Sequence, residues 1–324
     1  MTRKGAPDLI RGLLLCALAT PLAARDIPLA LPLDCELGDT CHIQAHFDHD
    51  PGPGAQDFEC GTLTRDNHRG TDFALPNLQA MREGVDVLAA APGTVRGTRD
   101  RWPDISVSDP NAPDLKGQEC GNGVAISHGG GWVTQYCHLK LSSISVKEGD
   151  RVAMGAKLGE VGLSGSTEFP HLHFSVFEGD RRVDPFAPGD ATCGSDTQQL
   201  FDPPLPSPPA GFLATGFATS VPDFTAMRDD LDSVEELSAT APIVIWVSGF
   251  GSRPGDVLQI DITHPSGTFH SQTITMERRQ EVWQRFTGRK FTDTPWPSGT
   301  YTADISYTRD GAQIVKDTVT ARLD

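Results

Sequence analysis

The run Phe201-Asp202-Pro203-Pro204-Leu205-Pro206-Ser207-Pro208-Pro209 holds five prolines in nine residues. Proline lacks an amide hydrogen and has a fixed φ, so such a run enters neither a helix interior nor the middle of a sheet. It reads as an extended linker. The 324 residues are thereby divided in two, and each part is long enough for its own core. The expected boundaries are residues 25–200, a linker over 201–211, and residues 212–324.

Both parts read as β-structure. Glycine (33) and proline (25) are abundant, and apolar residues alternate with polar ones over short stretches bounded by turn residues. Upstream, Val124 to His128 runs into Gly129-Gly130-Gly131 and returns as Trp132 to His138, a hairpin. Period-2 alternation places Trp132, Thr134, Tyr136 and His138 on one face of the return strand. Val146 to Val152, Lys157 to Gly162 and His171 to Val176 continue the pattern. Downstream, Leu258, Ile260 and Ile262 alternate with polar neighbours, as do Tyr301, Ala303, Ile305 and Tyr307, and Asp310-Gly311 turns into a last strand. The expected fold class is all-β: a compact antiparallel β domain followed by a small β-sandwich, immunoglobulin-like in size.

The N-terminus has the makings of an export signal over residues 1–24. Arg3, Lys4 and Arg11 are followed by the apolar run Leu13 to Ala19 and the small pair Ala23-Ala24. That run is too short to span a bilayer, so no membrane insertion is expected after cleavage. Cys16 falls inside it. The remaining cysteines, 35, 41, 60, 120, 137 and 193, are even in number, which in an exported chain, periplasmic or secreted, implies disulfides. Cys120 and Cys137 flank the hairpin and are expected to pair. Cys35 with Cys41 and Cys60 with Cys193 is the favoured assignment of the rest. A thiolate metal site lacks any CxxC spacing. The net charge is −16, and loss of the basic leader makes it more negative. Nucleic acid and anionic membrane surfaces are thereby excluded as partners, since both need a basic face. Neutral or zwitterionic peptides are not.

His68-Arg69-Gly70-Thr71-Asp72, Gln135-Tyr136-Cys137-His138-Leu139 and His171-Leu172-His173 carry the chemistry. Residues i and i+2 of a strand share a side, so His171 and His173 line one cleft while Leu172 and Phe174 face the core. Gly70, free in φ, permits a bend that brings His68 and Asp72 to one ion. His68, Asp72 and His173 are the expected metal ligands. Two neutral imidazoles and a carboxylate leave a zinc ion net positive and still Lewis-acidic, with an open coordination position. His138 and His171 are the expected catalytic acid–base partners.

These motifs, in this order, resemble the lysostaphin-type (LytM-domain) zinc endopeptidases. Ala91-Pro92-Gly93-Thr94-Val95, Glu148-Gly149-Asp150-Arg151-Val152, Val161-Gly162-Leu163-Ser164-Gly165 and Val183-Asp184-Pro185 agree with it. The resemblance covers about residues 60–190 and implies a compact antiparallel β catalytic domain with zinc in a groove. It further implies that His68, Asp72 and His173 hold the metal, that His138 and His171 flank the attacking water and scissile carbonyl, and that the substrates are peptide bonds in bacterial peptidoglycan stems or cross-links. Asn77 to Gly84 is an insertion and the extra cysteines are a departure. The competing functions are a non-catalytic LytM-type regulator of a wall amidase and a secreted endopeptidase acting on non-wall peptides. All five filled site positions favour the enzyme.

The other histidines are expected outside the site, with His42, His46 and His49 beside Asp48 and Asp50 in a solvated loop. The acidic segment 228–236 is expected to be a short helix or loop with a solvated face. The C-terminal part shows no functional motif; a cell-wall or protein partner is its expected use.

Overall fold

A computed structural model describes residues 1–2, 27–189, 192–194, 198–223, 228–229 and 237–324. The expected leader, apart from its first two residues, and residues 230–236 of the acidic segment lie outside them. In chain order the first elements are β1 (His42–Ala45), β2 (Thr71–Ala74), α1 (Leu78–Glu83), β3 (Asp86–Leu88), β4 (Gly93–Arg99), β5 (Asn122–Gly129), β6 (Trp132–Leu139), β7 (Arg151–Val152), β8 (Lys157–Glu160), β9 (His171–Glu178) and β10 (Arg181–Val183). Then follow β11 (Gly211–Ala218), β12 (Ile243–Ser252), β13 (Val257–His264), β14 (Gly267–Thr275), β15 (Gln280–Arg289), β16 (Gly299–Arg309) and β17 (Ala312–Leu323). No helix among the described residues is long and apolar enough to cross a membrane.

One antiparallel sheet runs β1-β2-β9-β6-β5-β4-β7, with β10 added on β9. Its buried face carries Phe73, Leu172, Phe174, Val176, Tyr136, Val124 and Ile126, the alternate residues of the four neighbouring strands β2, β9, β6 and β5. The short β3–β8 pair contributes Val87 and Leu158 to the same core. The insertion at Asn77 is helix α1, its first turn capped by the Asn77 side chain accepting from the Ala80 amide. Phe201, at the head of the proline run, is buried in this core and bridges to Leu29. Farther along the run, the Ser207 hydroxyl is 2.8 Å from His46 Nε2.

The C-terminal strands make two sheets, β11-β12-β15 and β14-β13-β16-β17, on one shared core. Ile245, Val247 and Trp283 of the first pack with Leu258, Ile260, Ile262, Tyr301, Ile305 and Tyr307 of the second. The alternating residues singled out in the sequence are thus the inward-facing ones. Among the described residues both parts are nearly all β, α1 being the exception, and the strands of each sheet pair antiparallel.

The disulfides are Cys35–Cys41, Cys60–Cys193 and Cys120–Cys137, the pairings expected. The expectation of a solvated loop at His42, His46 and His49 is corrected, since all three are buried. His42 lies in β1 with its ring 5.0 Å from that of Phe250. His46 packs edge-on against Phe186, and His49 pairs with buried Asp184 at 2.7 Å. Polar identity alone placed them outside. The Ser207 hydroxyl on His46 and the Asp184 carboxylate on His49 offset their burial, while burial lowers the His42 pKa to about 3 and keeps that ring uncharged.

Candidate metal centre

Register brings the site together. In the β2–β9 pair, Asp72 stands opposite His173 and Ala74 opposite His171. Directly opposed residues share a face, so Asp72, His171 and His173 project together, away from the face bearing Phe73, Leu172 and Phe174. His68 arrives from the loop before β2. The donor atoms of His68, Asp72 and His173 all lie within 4.8 Å of one another. Gly70 matters through close approach: a Cβ there would sit 2.7 Å from His173 Nε2 and 2.7 Å from the Phe174 carbonyl oxygen. Its φ is not in the left-handed region, so the expected reason, conformational freedom, is replaced by lack of space.

His138 reaches the site by a local irregularity. Tyr136 opposes core residue Phe174 on β9, and simple alternation would send His138 into the core as well. Asn122 and Gly123 on β5 oppose Leu139 and Cys137, which leaves His138 as the extra residue of a bulge. Its φ of 65° is left-handed, a rare conformation for a non-glycine residue. A bulge re-aims a side chain. Here the ring turns to the metal face, 4.7 Å from the His171 ring and 6.1 Å from that of His173. The His138 amide donates to the Cys120 carbonyl at 2.9 Å, so the Cys120–Cys137 bond closes around the bulge. The expectation that His138 shares a face with Trp132, Thr134 and Tyr136 is therefore corrected.

The outward hydrogen bonds of the imidazoles determine their tautomers. A carbonyl oxygen only accepts, so the ring nitrogen facing it carries the proton. His68 Nδ1 donates to the His46 carbonyl at 2.6 Å, and His138 Nδ1 to the Ser164 carbonyl at 2.7 Å. His171 Nδ1 donates to the Phe169 carbonyl at 2.9 Å. The Ser175 hydroxyl donates to the Arg69 carbonyl, so it accepts from His173 Nε2, 3.0 Å away. Each ring is left with one unprotonated nitrogen. His68 Nε2 and His173 Nδ1 lie 3.2 Å apart, and 3.0 and 2.7 Å from Asp72 Oδ1. His171 Nε2, buried and without a hydrogen-bond partner, is 3.6 Å from the same oxygen.

Lone pairs and a carboxylate packed this closely repel one another unless a cation sits among them. Two imidazoles and one carboxylate are a donor set that suits zinc and similar divalent ions. The residues fit the group, and their outer partners are the oriented carbonyls and hydroxyl that such ligands use.

Electrostatics agree with neutral rings at His138 and His173 and an ionised acid at Asp72. Burial, reinforced by His171 and His173, holds the His138 imidazole well below the usual histidine range. Burial also lowers His173 against the opposing pull of Asp72. For Asp72, burial pushes upward, yet the neighbouring histidines win and its carboxyl sits well below the ordinary value. Asp72 Oδ2 receives the Arg65 guanidinium at 2.6 Å. Arg65 and Ser175 were given no role from the sequence, and Ser164 entered only as part of a framing segment, because contacts with distant partners leave no local pattern.

Comparison with known proteins finds one family. Residues 66–185 match the model of Peptidase family M23. A peptidoglycan DD-endopeptidase, ShyA of Vibrio cholerae serotype O1, is 35% identical over 116 residues, 36% of this chain and 21% of its own length. The cell division protein DipM of Caulobacter vibrioides is 34% identical over 94 residues, 29% of this chain and 13% of its own. A crystal structure of a zinc-containing peptidase from Vibrio cholerae aligns with a TM-score of 0.31 and 27% identity, covering 49% of this chain and 38% of that one. The match to the first curated relatives thus spans about a quarter of their length or less. With the motifs in family order and their side chains gathered at one face of the sheet, residues 66–185 form a peptidase family M23 domain of the LytM type.

Proposed function

We propose that this chain is a zinc-dependent endopeptidase that hydrolyses peptide bonds in the stems or cross-links of bacterial peptidoglycan, exported to the periplasm or beyond. In this reading His68, Asp72 and His173 hold the ion, and His138 and His171 handle protons. The observation that carries it is the set of outward hydrogen bonds that leaves His68, His173 and His171 each with a free nitrogen 3.0, 2.7 and 3.6 Å from Asp72 Oδ1.

When bound, the ion supplies Lewis acidity that activates water and polarises a carbonyl. The chain's own part is proton movement and positioning. His138, tied at Nδ1 to the Ser164 carbonyl, keeps Nε2 basic. Burial keeps the ring neutral near pH 7, the state a general base needs. His171, tied at Nδ1 to Phe169, offers Nε2 in the same way. One of the two Nε2 atoms takes the proton of the attacking water. The other takes up a proton from solvent, donates it in a hydrogen bond to the developing oxyanion and gives it to the leaving amine nitrogen as the carbon–nitrogen bond breaks; the proton taken from water then returns to solvent, so both rings end as they began. Arg65 fixes Asp72 through its second oxygen, so the carboxylate keeps Oδ1 toward the imidazoles.

The relatives named as peptidoglycan endopeptidases support the substrate class, and three disulfides fit an oxidising compartment. The test is digestion of isolated sacculi by the purified chain, with metal content measured alongside. Release of peptide-cleaved muropeptides, abolished by a chelator and restored by zinc, is expected. A folded, zinc-free protein without turnover would contradict the proposal and favour a non-catalytic regulator.

A further inference from the structure

A cleft of about 780 Å³ opens beside the metal cluster, and both parts of the chain wall it. His171, Asp72 and Arg65 line it, Arg228 lies against Phe169 within it, and Arg279 and Glu281 line it from the C-terminal sheet. The far wall is the start of β15 with the residue before it. It is fixed to the catalytic sheet by Gln44 Nε2, which donates to Glu281 Oε2 at 3.4 Å, and by Arg65, 4.0 Å from the same carboxylate. The His42–Phe250 ring contact joins β1 to β12 beside it. The C-terminal sheet thus forms part of the cleft.

Three guanidiniums in one cleft are notable in a chain of net charge −16. The acids of the cleft are already engaged. Asp72 is held by Arg65 and the imidazoles. Glu168 accepts from the Ser108 hydroxyl at 3.0 Å, and Glu281 accepts from Gln44. Arg65 is committed to Asp72. Arg228 lies over the Phe169 ring and gives a bond to the Glu168 carbonyl. Arg279 is 4.0 Å from Glu281, beyond hydrogen-bonding distance. A guanidinium has five N–H donors in a planar fork that matches a carboxylate with two parallel bonds. Donors of Arg279 and Arg228 therefore remain for a ligand in the cleft.

We propose that Arg279, assisted by Arg228, reads a free carboxylate on the peptide, so that this chain selects substrates with an unamidated carboxyl group near the scissile bond. This deepens the peptidase reading and rests on it. Both arginines lie outside residues 66–185, so the family match does not speak to them.

The test uses the full zinc-loaded chain and soluble cross-linked muropeptides released from sacculi, presented with carboxyl groups native and with the same groups converted to amides. The native form is expected to be cleaved with kcat/KM greater on the order of ten- to a hundredfold, the worth of a charge-assisted bond pair, mostly through KM. Arg279→Gln should raise KM for the native form and shrink the preference, with Arg279→Lys falling between. Equal KM for both forms in the wild type, or a preference unchanged in the Arg279→Gln, Arg228→Gln double variant, would overturn the proposal. If neither form is cut, the peptidase reading fails, and calorimetric binding of the same muropeptides then decides recognition. Tighter binding of the native form, lost in Arg279→Gln, supports it; equal affinities overturn it.

Discussion

The two β regions are built from the same element and use it in opposite ways. In the C-terminal sandwich, apolar residues point in, and the buried polar residues come down to Ser248, Ser252 and Asp256 among those described. In the N-terminal region, which contains the M23 domain, the buried set includes His42, His46, His49, Asp57, His68, Asp72, Asn122, His138, His171 and Asp184. Both regions carry bulges, but those of the C-terminal sheets leave the apolar Leu213, Phe269 and Ile314 as extra residues. The bulge of β6 leaves a left-handed His138, and beside it His171 Nε2 is unpartnered. Departures of this kind are expected to cluster where function is.

The contrast can be broken most forcefully by truncating the proton-handling pair. His138→Ala and His171→Ala should each lower muropeptide turnover on the order of a hundred- to ten-thousandfold, with zinc still bound at one per chain. Wild-type turnover in both variants would remove these residues from the mechanism. The mirror experiment lies in the sandwich. Asp256 is buried and gripped by Arg309 at 2.7 and 2.9 Å and by the Tyr307 hydroxyl at 2.8 Å. Asp256→Ala leaves the Arg309 charge without its partner and should cost about 3–5 kcal/mol of stability in chemical denaturation, with zinc content unchanged. Loss of zinc in that variant would show that the two regions are not separate in this respect.

A smaller effect sharpens the comparison within the M23 region. Replacing Cys120 and Cys137 by serine opens a 17-residue loop and should cost about 3 kcal/mol by denaturant midpoint. Because the Cys120 carbonyl holds the His138 amide, turnover measured well below the unfolding temperature should fall too. Intact turnover would mean that the bulge stands without the bond. The smallest effect is pH-linked. Asp256 has its carboxyl lowered: burial opposes this, but Arg309, the Arg253 amide and Tyr307 prevail. A lowered folded value means that the carboxylate's contribution is fully present above the ordinary value for aspartate, about 3.9, and is lost as pH falls through the folded one. Acid unfolding followed by Trp283 fluorescence should therefore depend less on pH in this window in Asp256→Asn. An identical profile would exclude the linkage.

Much of this was legible in the residues. The alternation of His171-Leu172-His173-Phe174 gives both the strand and the division of its faces, because period 2 is local geometry. Leu258, Ile260 and Ile262 mark the sandwich core for the same reason. His138 was found by its motif, but its face was missed, since a bulge is set by pairing with Asn122 and Gly123 on a different strand. The burial of His42, His46 and His49 was missed because polar residues without periodicity resemble a loop until their partners Phe250, Phe186 and Asp184 arrive from far along the chain. Arg65 and the wall at Arg279 and Glu281 escaped on the same ground. Every contact that defines them is tertiary.

Zinc K-edge X-ray absorption of the zinc-loaded chain, beside His68→Ala and His173→Ala variants, tests the central claim most directly. Wild-type protein should hold one zinc with two imidazole nitrogens and carboxylate oxygen in its first shell, and each variant should lose a nitrogen scatterer together with most of its affinity. A wild-type spectrum without histidine ligands, or full zinc retention in both variants, would contradict it.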